Sequence, residues 1–157
     1  MPKVAVKREV RHAAEQMCDL VADVERYPEF VPLCEGLKLK SRTSENGRDV
    51  LVADMAVGYK AIRETISTRV VVDRAALTID FTYLDGPFRH MVGGWRFQRL
   101  GPRESLVQFS IDYEFRSRIL SMLMGSVFET VFGRFAEAFE KRADTLFGPA
   151  SGALTTG

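Results

Sequence analysis

Residues 117–147, SRILSMLMGSVFETVFGRFAEAFEKRADTLF, hold no proline and run far beyond the length of a strand, which predicts one long helix. At about 100° per residue, Leu120, Met124, Val127, Phe128, Val131, Phe132, Phe135, Ala138, Phe139, Ala143 and Leu146 fall on one side. That apolar face spans roughly 160° of the circumference, wider than a coiled-coil seam. Ser126, Glu129, Thr130, Arg134, Glu137, Glu140, Lys141 and Asp144 take the opposite side. No second helix of comparable length is visible, so the expected partner is concave: a curved sheet. Gly148-Pro149 stops the helix, because glycine suits the cap and proline cannot continue it.

The rest of the chain supplies that sheet. Residues 3–10 place Val4, Val6 and Val10 in one parity, as in a half-buried strand. Residues 12–23 then predict a helix with Ala14, Met17, Cys18, Val21 and Ala22 on one stripe, ended by the proline after Tyr27. A short helical turn over residues 28–31 follows, closed by Pro32. From Leu37 the period changes to two, and Asn46-Gly47 marks a hairpin. Strands follow over residues 49–57, broken by Gly58, over 60–73, and from Leu77 to Tyr83. Residues 88–100 form another, in which Gly93-Gly94 suggests a bulge or bend, and Val107 to Phe115 complete the set. Consecutive strands joined by tight turns pair antiparallel. The expected class is α+β, one domain over residues 1–148, with a disordered tail at 149–157.

Composition narrows the function. A chain of 157 residues with 22 basic and 21 acidic side chains carries +1 net charge, so no global field advertises nucleic acid, DNA included, or an anionic membrane. The basic clusters (Lys3, Lys7, Arg8, Arg11 and Lys38, Lys40, Arg42) read as solvated faces. Cys18 and Cys34 sit among apolar residues and read as two buried thiols of a reducing compartment. The first residues lack a secretory h-region, and no apolar run reaches the ~20 residues of a membrane span, so a cytoplasmic protein is expected. No nucleophile elbow, phosphate loop or Cys-x-x-Cys pair is present, and two histidines are too few for a His-rich metal site.

What the chain has in quantity is aromatic lining. Tyr27, Phe30, Phe81, Tyr83, Trp95, Phe97, Phe109, Tyr113, Phe128, Phe132 and Phe135 fall on expected inner faces, with Met55, Val127 and Val131. Core packing explains any one of them; as a set beside a gripped helix they favour a nonpolar ligand such as a lipid or isoprenoid. Asp54, Asp112 and Glu114 point outward by parity, whereas Glu64 shares the parity of Ile62 and Ile66 and faces inward. Glu64, Tyr83 and His90 are the candidates if the chain is an enzyme, although His90 reads first as a surface or strand-edge residue. Ile119, Met122 and Leu123 cluster at the helix start on its polar side. They either meet a membrane or partner, or belong to a packed loop before a later helix start.

Four stretches, YPEFVPLC from Tyr27, DGPFRH from Asp85, GWRF from Gly94 and AFEKRA from Ala138, resemble the signatures of coenzyme Q-binding START-like proteins, a group that also contains ribosome-association toxins of the RatA kind. The resemblance runs from about Val4 to Phe147; where such proteins often carry Trp before the Cys, this chain has Leu33. It implies a helix-grip fold of six to seven strands around the C-terminal helix, with ubiquinone as bound ligand in support of respiration, no catalytic residues and peripheral contact with the inner membrane. The toxin members imply the alternative, binding of the large ribosomal subunit to block subunit association. Polyketide aromatase/cyclases, which share such folds, are the third reading.

Overall fold

The computed structural model describes residues 3–148. In chain order it runs β1 (Lys3–Val10), α1 (Ala14–Ala22), a 3-10 segment (Val24–Glu29), β2 (Cys34–Glu45), β3 (Arg48–Tyr59), β4 (Ile62–Asp73), β5 (Thr78–Asp85), β6 (Phe88–Gly101), β7 (Glu104–Phe115), α2 (Arg118–Gly133) and α3 (Phe135–Phe147). All strands join one antiparallel sheet in the order β1-β7-β6-β5-β4-β3-β2. Five hairpins build β2 to β7 in sequence, and β1 closes onto β7 across the whole chain. The fold is an α+β helix grip, as the alternation of periods implies. The tail expected at residues 149–157 lies outside the described residues.

Side-chain parity sets the core. Along β7, Val107, Phe109, Ile111, Tyr113 and Phe115 are all buried, and on β6 so are Met91, Trp95 and Phe97. The β2–β3 hairpin turns at Asn46 and Gly47, with φ of 53° and 79°. Both values lie in the left-handed region that a two-residue turn of this hand requires.

Several elements depart from expectation, each for a local reason. The C-terminal helix is two helices, bent by 47° between Gly133 and Phe135. Arg134 leaves helical geometry (φ −108°, ψ 5°) beside a glycine, a common cause of sharp bends. The bend lets a wide apolar face follow a curved sheet, and it rephases α3. Ala136, Phe139 and Ala143 take the buried stripe, Ala138 is left half-buried and Leu146 is exposed.

The helix expected at 12–23 is shorter, and the following helical turn starts earlier, as a 3-10 segment containing Pro28. Gly58 does not end β3; its N–H donates to the Leu33 carbonyl at 3.0 Å, so the strand runs on to Tyr59. Nor do Gly93 and Gly94 make a bulge. They stay in register with both β5 and β7, and the irregularities of β6 fall at its ends. Cys18 and Cys34 are buried free thiols, and burial pushes the Cys18 thiol up to about 11.

Candidate functional site

Between sheet and helices lies an apolar cavity of about 110 Å³. Strand parity supplies its floor: Leu37 from β2, Ala53, Met55 and Val57 from β3, Ile66, Thr68 and Val70 from β4, Ile79 and Phe81 from β5, Met91 and Trp95 from β6, Phe109 and Ile111 from β7. The roof is one helical stripe, Phe128, Val131, Phe132, Phe135 and Phe139, which crosses the α2–α3 bend. Val24, Tyr27, Val31, Pro32 and Leu33 close one side. Leu33 holds φ at 67°, a conformation that costs an ordinary side chain of order 1 kcal/mol or more, so this closing segment carries backbone strain.

Polar groups in the wall are few. The Tyr27 hydroxyl donates to the Val21 carbonyl at 2.5 Å, and its burial raises the phenol pKa far above the usual value. Thr68 and the indole of Trp95 are the remaining side chains able to donate a hydrogen bond. Trp95 packs on Phe109 at 4.6 Å and on Phe139 at 5.1 Å, so the chain's single tryptophan sits within the wall.

Of the residues expected to line a cavity, the structure brings Tyr27, Met55, Phe81, Trp95, Phe109, Phe128, Val131, Phe132 and Phe135 together around this one. Five lie elsewhere. Phe30 turns outward, edge-on to Phe139 with the Arg142 guanidinium over its ring. Tyr83 accepts a hydrogen bond from the Phe88 N–H at 3.0 Å and packs on the Phe88 ring. Phe97 is buried two residues beyond Trp95, opposite Val107 and on the strand that α1 covers. Tyr113 is wedged among Phe88, Phe115 and Phe132, its buried hydroxyl unpartnered and its pKa raised by desolvation, then by Glu129. Val127 stays half-buried at the margin of the roof stripe.

The aliphatic part of the wall escaped the sequence reading because alternation marks a strand's inner face but not where along it a void falls. Pro32 and Leu33 had a weak signal: a turn flanked by prolines.

The would-be catalytic trio is dispersed. His90 lies on the outer sheet face, with Nε2 at 3.1 Å from Asp112 and Nδ1 at 3.8 Å from Glu114; its bond to Asp112 holds that carboxyl below its usual range. Glu64 does face inward, as parity indicates, but it lines a separate gap of about 10 Å³ with Tyr59, Ile62, Leu120 and Met124. Tyr83 is engaged as described. None of the three lines the main cavity.

Known proteins show the same architecture. The chain is 32% identical over 147 residues to the ribosome association toxin RatA of Escherichia coli K12, covering 94% of this chain and 90% of that one. It is 27% identical over 146 residues to the mitochondrial coenzyme Q-binding protein COQ10 of Dictyostelium discoideum, covering 92% and 70%. A START superfamily protein from Mycobacterium smegmatis superposes with a TM-score of 0.74 at 25% identity, over 92% of this chain and 98% of that one. Residues 10–140 match the family described as polyketide cyclase / dehydrase and lipid transport, and the chain belongs to that family.

Proposed function

We propose that the protein binds a hydrophobic small molecule, a prenylquinone such as ubiquinone, in the cavity beneath α2 and α3, and carries it without transforming it. The observation that supports this most is the wall itself: a space between sheet and helices whose lining has no ionisable side chain besides the engaged Tyr27. Such a surface favours an apolar guest and offers no acid–base pair for chemistry. Similarity to a protein named for coenzyme Q binding supports the same ligand class. Thr68 and Trp95 are the other lining side chains that carry hydrogen-bond donors, the groups that quinone carbonyls accept from.

Size constrains how the guest sits. An apolar cavity of about 150 Å³ holds one benzene, so about 110 Å³ is smaller than a benzene site, and neither a substituted quinone ring nor a polyprenyl tail fits until the wall parts. Entry of such a guest therefore requires the wall to part. Organic extraction of the purified protein should yield a prenylquinone by absorbance and mass. Added short-chain benzoquinone should quench Trp95 fluorescence, and Val131→Lys should abolish both by placing a charge in the wall. Failure to recover lipid, together with no quenching by added quinone, overturns the reading.

A second reading rests on the 32% identity to RatA over 94% of the chain: association with ribosomes. It predicts co-sedimentation with large subunits that weakens steeply as salt rises, since phosphate contacts release counterions. Sedimentation indifferent to ribosomes at low salt removes it.

A further inference from the structure

Building on the carrier reading, we propose that the first two turns of α2 dock on an anionic phospholipid surface, so that the cavity exchanges its guest directly with a bilayer. The Ser117 Oγ accepts from the Leu120 N–H at 3.2 Å and caps the helix, so the residues that follow belong to a formed helix rather than a packed loop. Leu120, Met124 and Phe128 turn inward. Ile119, Met122 and Leu123 turn outward together, 70%, 82% and 57% exposed. Single exposed apolar side chains are ordinary, but three contiguous ones on a helix start are not.

Charge adds a second cost in water. Arg116 and Arg118 stand at the N-terminal end of α2, where the helix dipole disfavours cations, and no acidic residue occurs from Arg116 to Phe128. An anionic bilayer relieves both costs at once: the apolar tips enter the acyl boundary and the guanidinium groups meet lipid phosphates. RNA would satisfy the arginines and leave Ile119, Met122 and Leu123 in water.

Position completes the argument. Beneath the patch, Leu120 and Met124 line the small gap, and Val57 and Phe128 line both that gap and the main cavity. Val57 and Phe128 thus connect the main cavity to the gap beneath the exposed patch, where Glu64 is the one charged lining residue.

The test is co-sedimentation of the full chain with vesicles of phosphatidylcholine alone or with phosphatidylglycerol added. Binding should appear with the anionic vesicles and weaken with salt. Met122→Ser with Leu123→Ser should lower it about tenfold or more. Arg118→Glu should lower it about fivefold or more while leaving thermal stability unchanged or raised, because an acid suits that end of a helix. Equal binding to neutral and anionic vesicles, or binding untouched by these variants, overturns the proposal, as does capture by a protein partner without vesicle binding. Quenching of Trp95 by a short-chain benzoquinone, measured in the same variants without vesicles, separates the two claims. Intact quenching without vesicle binding removes the docking surface and leaves the carrier standing, whereas vesicle binding without quenching does the reverse.

Discussion

Gly93 has no side chain because its place is taken. A Cβ there would lie 2.4 Å from the Ser110 carbonyl oxygen and 2.7 Å from the Phe81 ring, which crosses the glycine from the neighbouring strand. The backbone oxygen cannot withdraw, and moving Phe81 would push it into the cavity that it lines. Gly93→Ala is therefore expected to destabilise the protein by about 1–3 kcal/mol, measured by urea unfolding, and to weaken quinone quenching of Trp95. Residue type alone points to a bend at this position; only the packed neighbour shows that the glycine keeps space for an aromatic ring.

Among the elements, the bent C-terminal helix decides the shape of the site. A straight helix over residues 117–147 would leave the curved sheet before covering it, and the break at Gly133 keeps Phe128, Phe132, Phe135 and Phe139 over one cavity. Gly133 has open space around it, so a methyl group there is accommodated. Gly133→Ala should raise stability by up to about 1 kcal/mol through helix propensity, read by chemical denaturation. If the bend is where the wall parts, the same variant slows quinone release in stopped-flow Trp95 fluorescence; unchanged release would place the opening elsewhere, as at the gap beneath Leu120 and Met124. At the far edge of the sheet, β2 displays Lys38, Lys40 and Arg42 to solvent, which discourages edge-to-edge pairing with another chain.

At the scale of the whole molecule, ion pairs tie distant segments over the core: Arg8 to Glu140, Arg142 to Glu29, Arg99 to Glu15, and Arg74 to both Asp19 and Asp49. Buried His12 reaches Asp144 at 2.7 Å, joining the start of α1 to α3. The hydrogen bond from Arg74 holds the Asp49 carboxyl below its usual range, and the one from Arg99 does the same for Glu15. A depressed carboxylate stabilises the fold above its unfolded pKa and ceases to do so as pH falls through the folded value. Thermal stability should accordingly decline below about pH 4. The Cys18 thiol has the opposite sign: raised from 9.0 to about 11, its contribution is complete below 9.0 and is lost as pH climbs to about 11. Melting temperatures across the pH range should show both limbs, and Cys18→Ala should flatten the alkaline one.

The sequence by itself determined the class of fold and the character of its interior. Alternation in six strands, the Asn46-Gly47 turn and an unbroken aromatic stripe admit few arrangements other than a gripped helix, because each is a local pattern in which neighbouring residues settle the outcome. Tertiary structure alone decided where the void lies and how large it is. The exclusion of Phe30, Tyr83, Phe97, Tyr113 and Val127 from its wall, and the inclusion of Thr68, Leu33 and Met91, depend on how far along each strand the helices pass. That distance is set by the bend at Gly133 and by contacts between residues far apart in the chain, which no local pattern records.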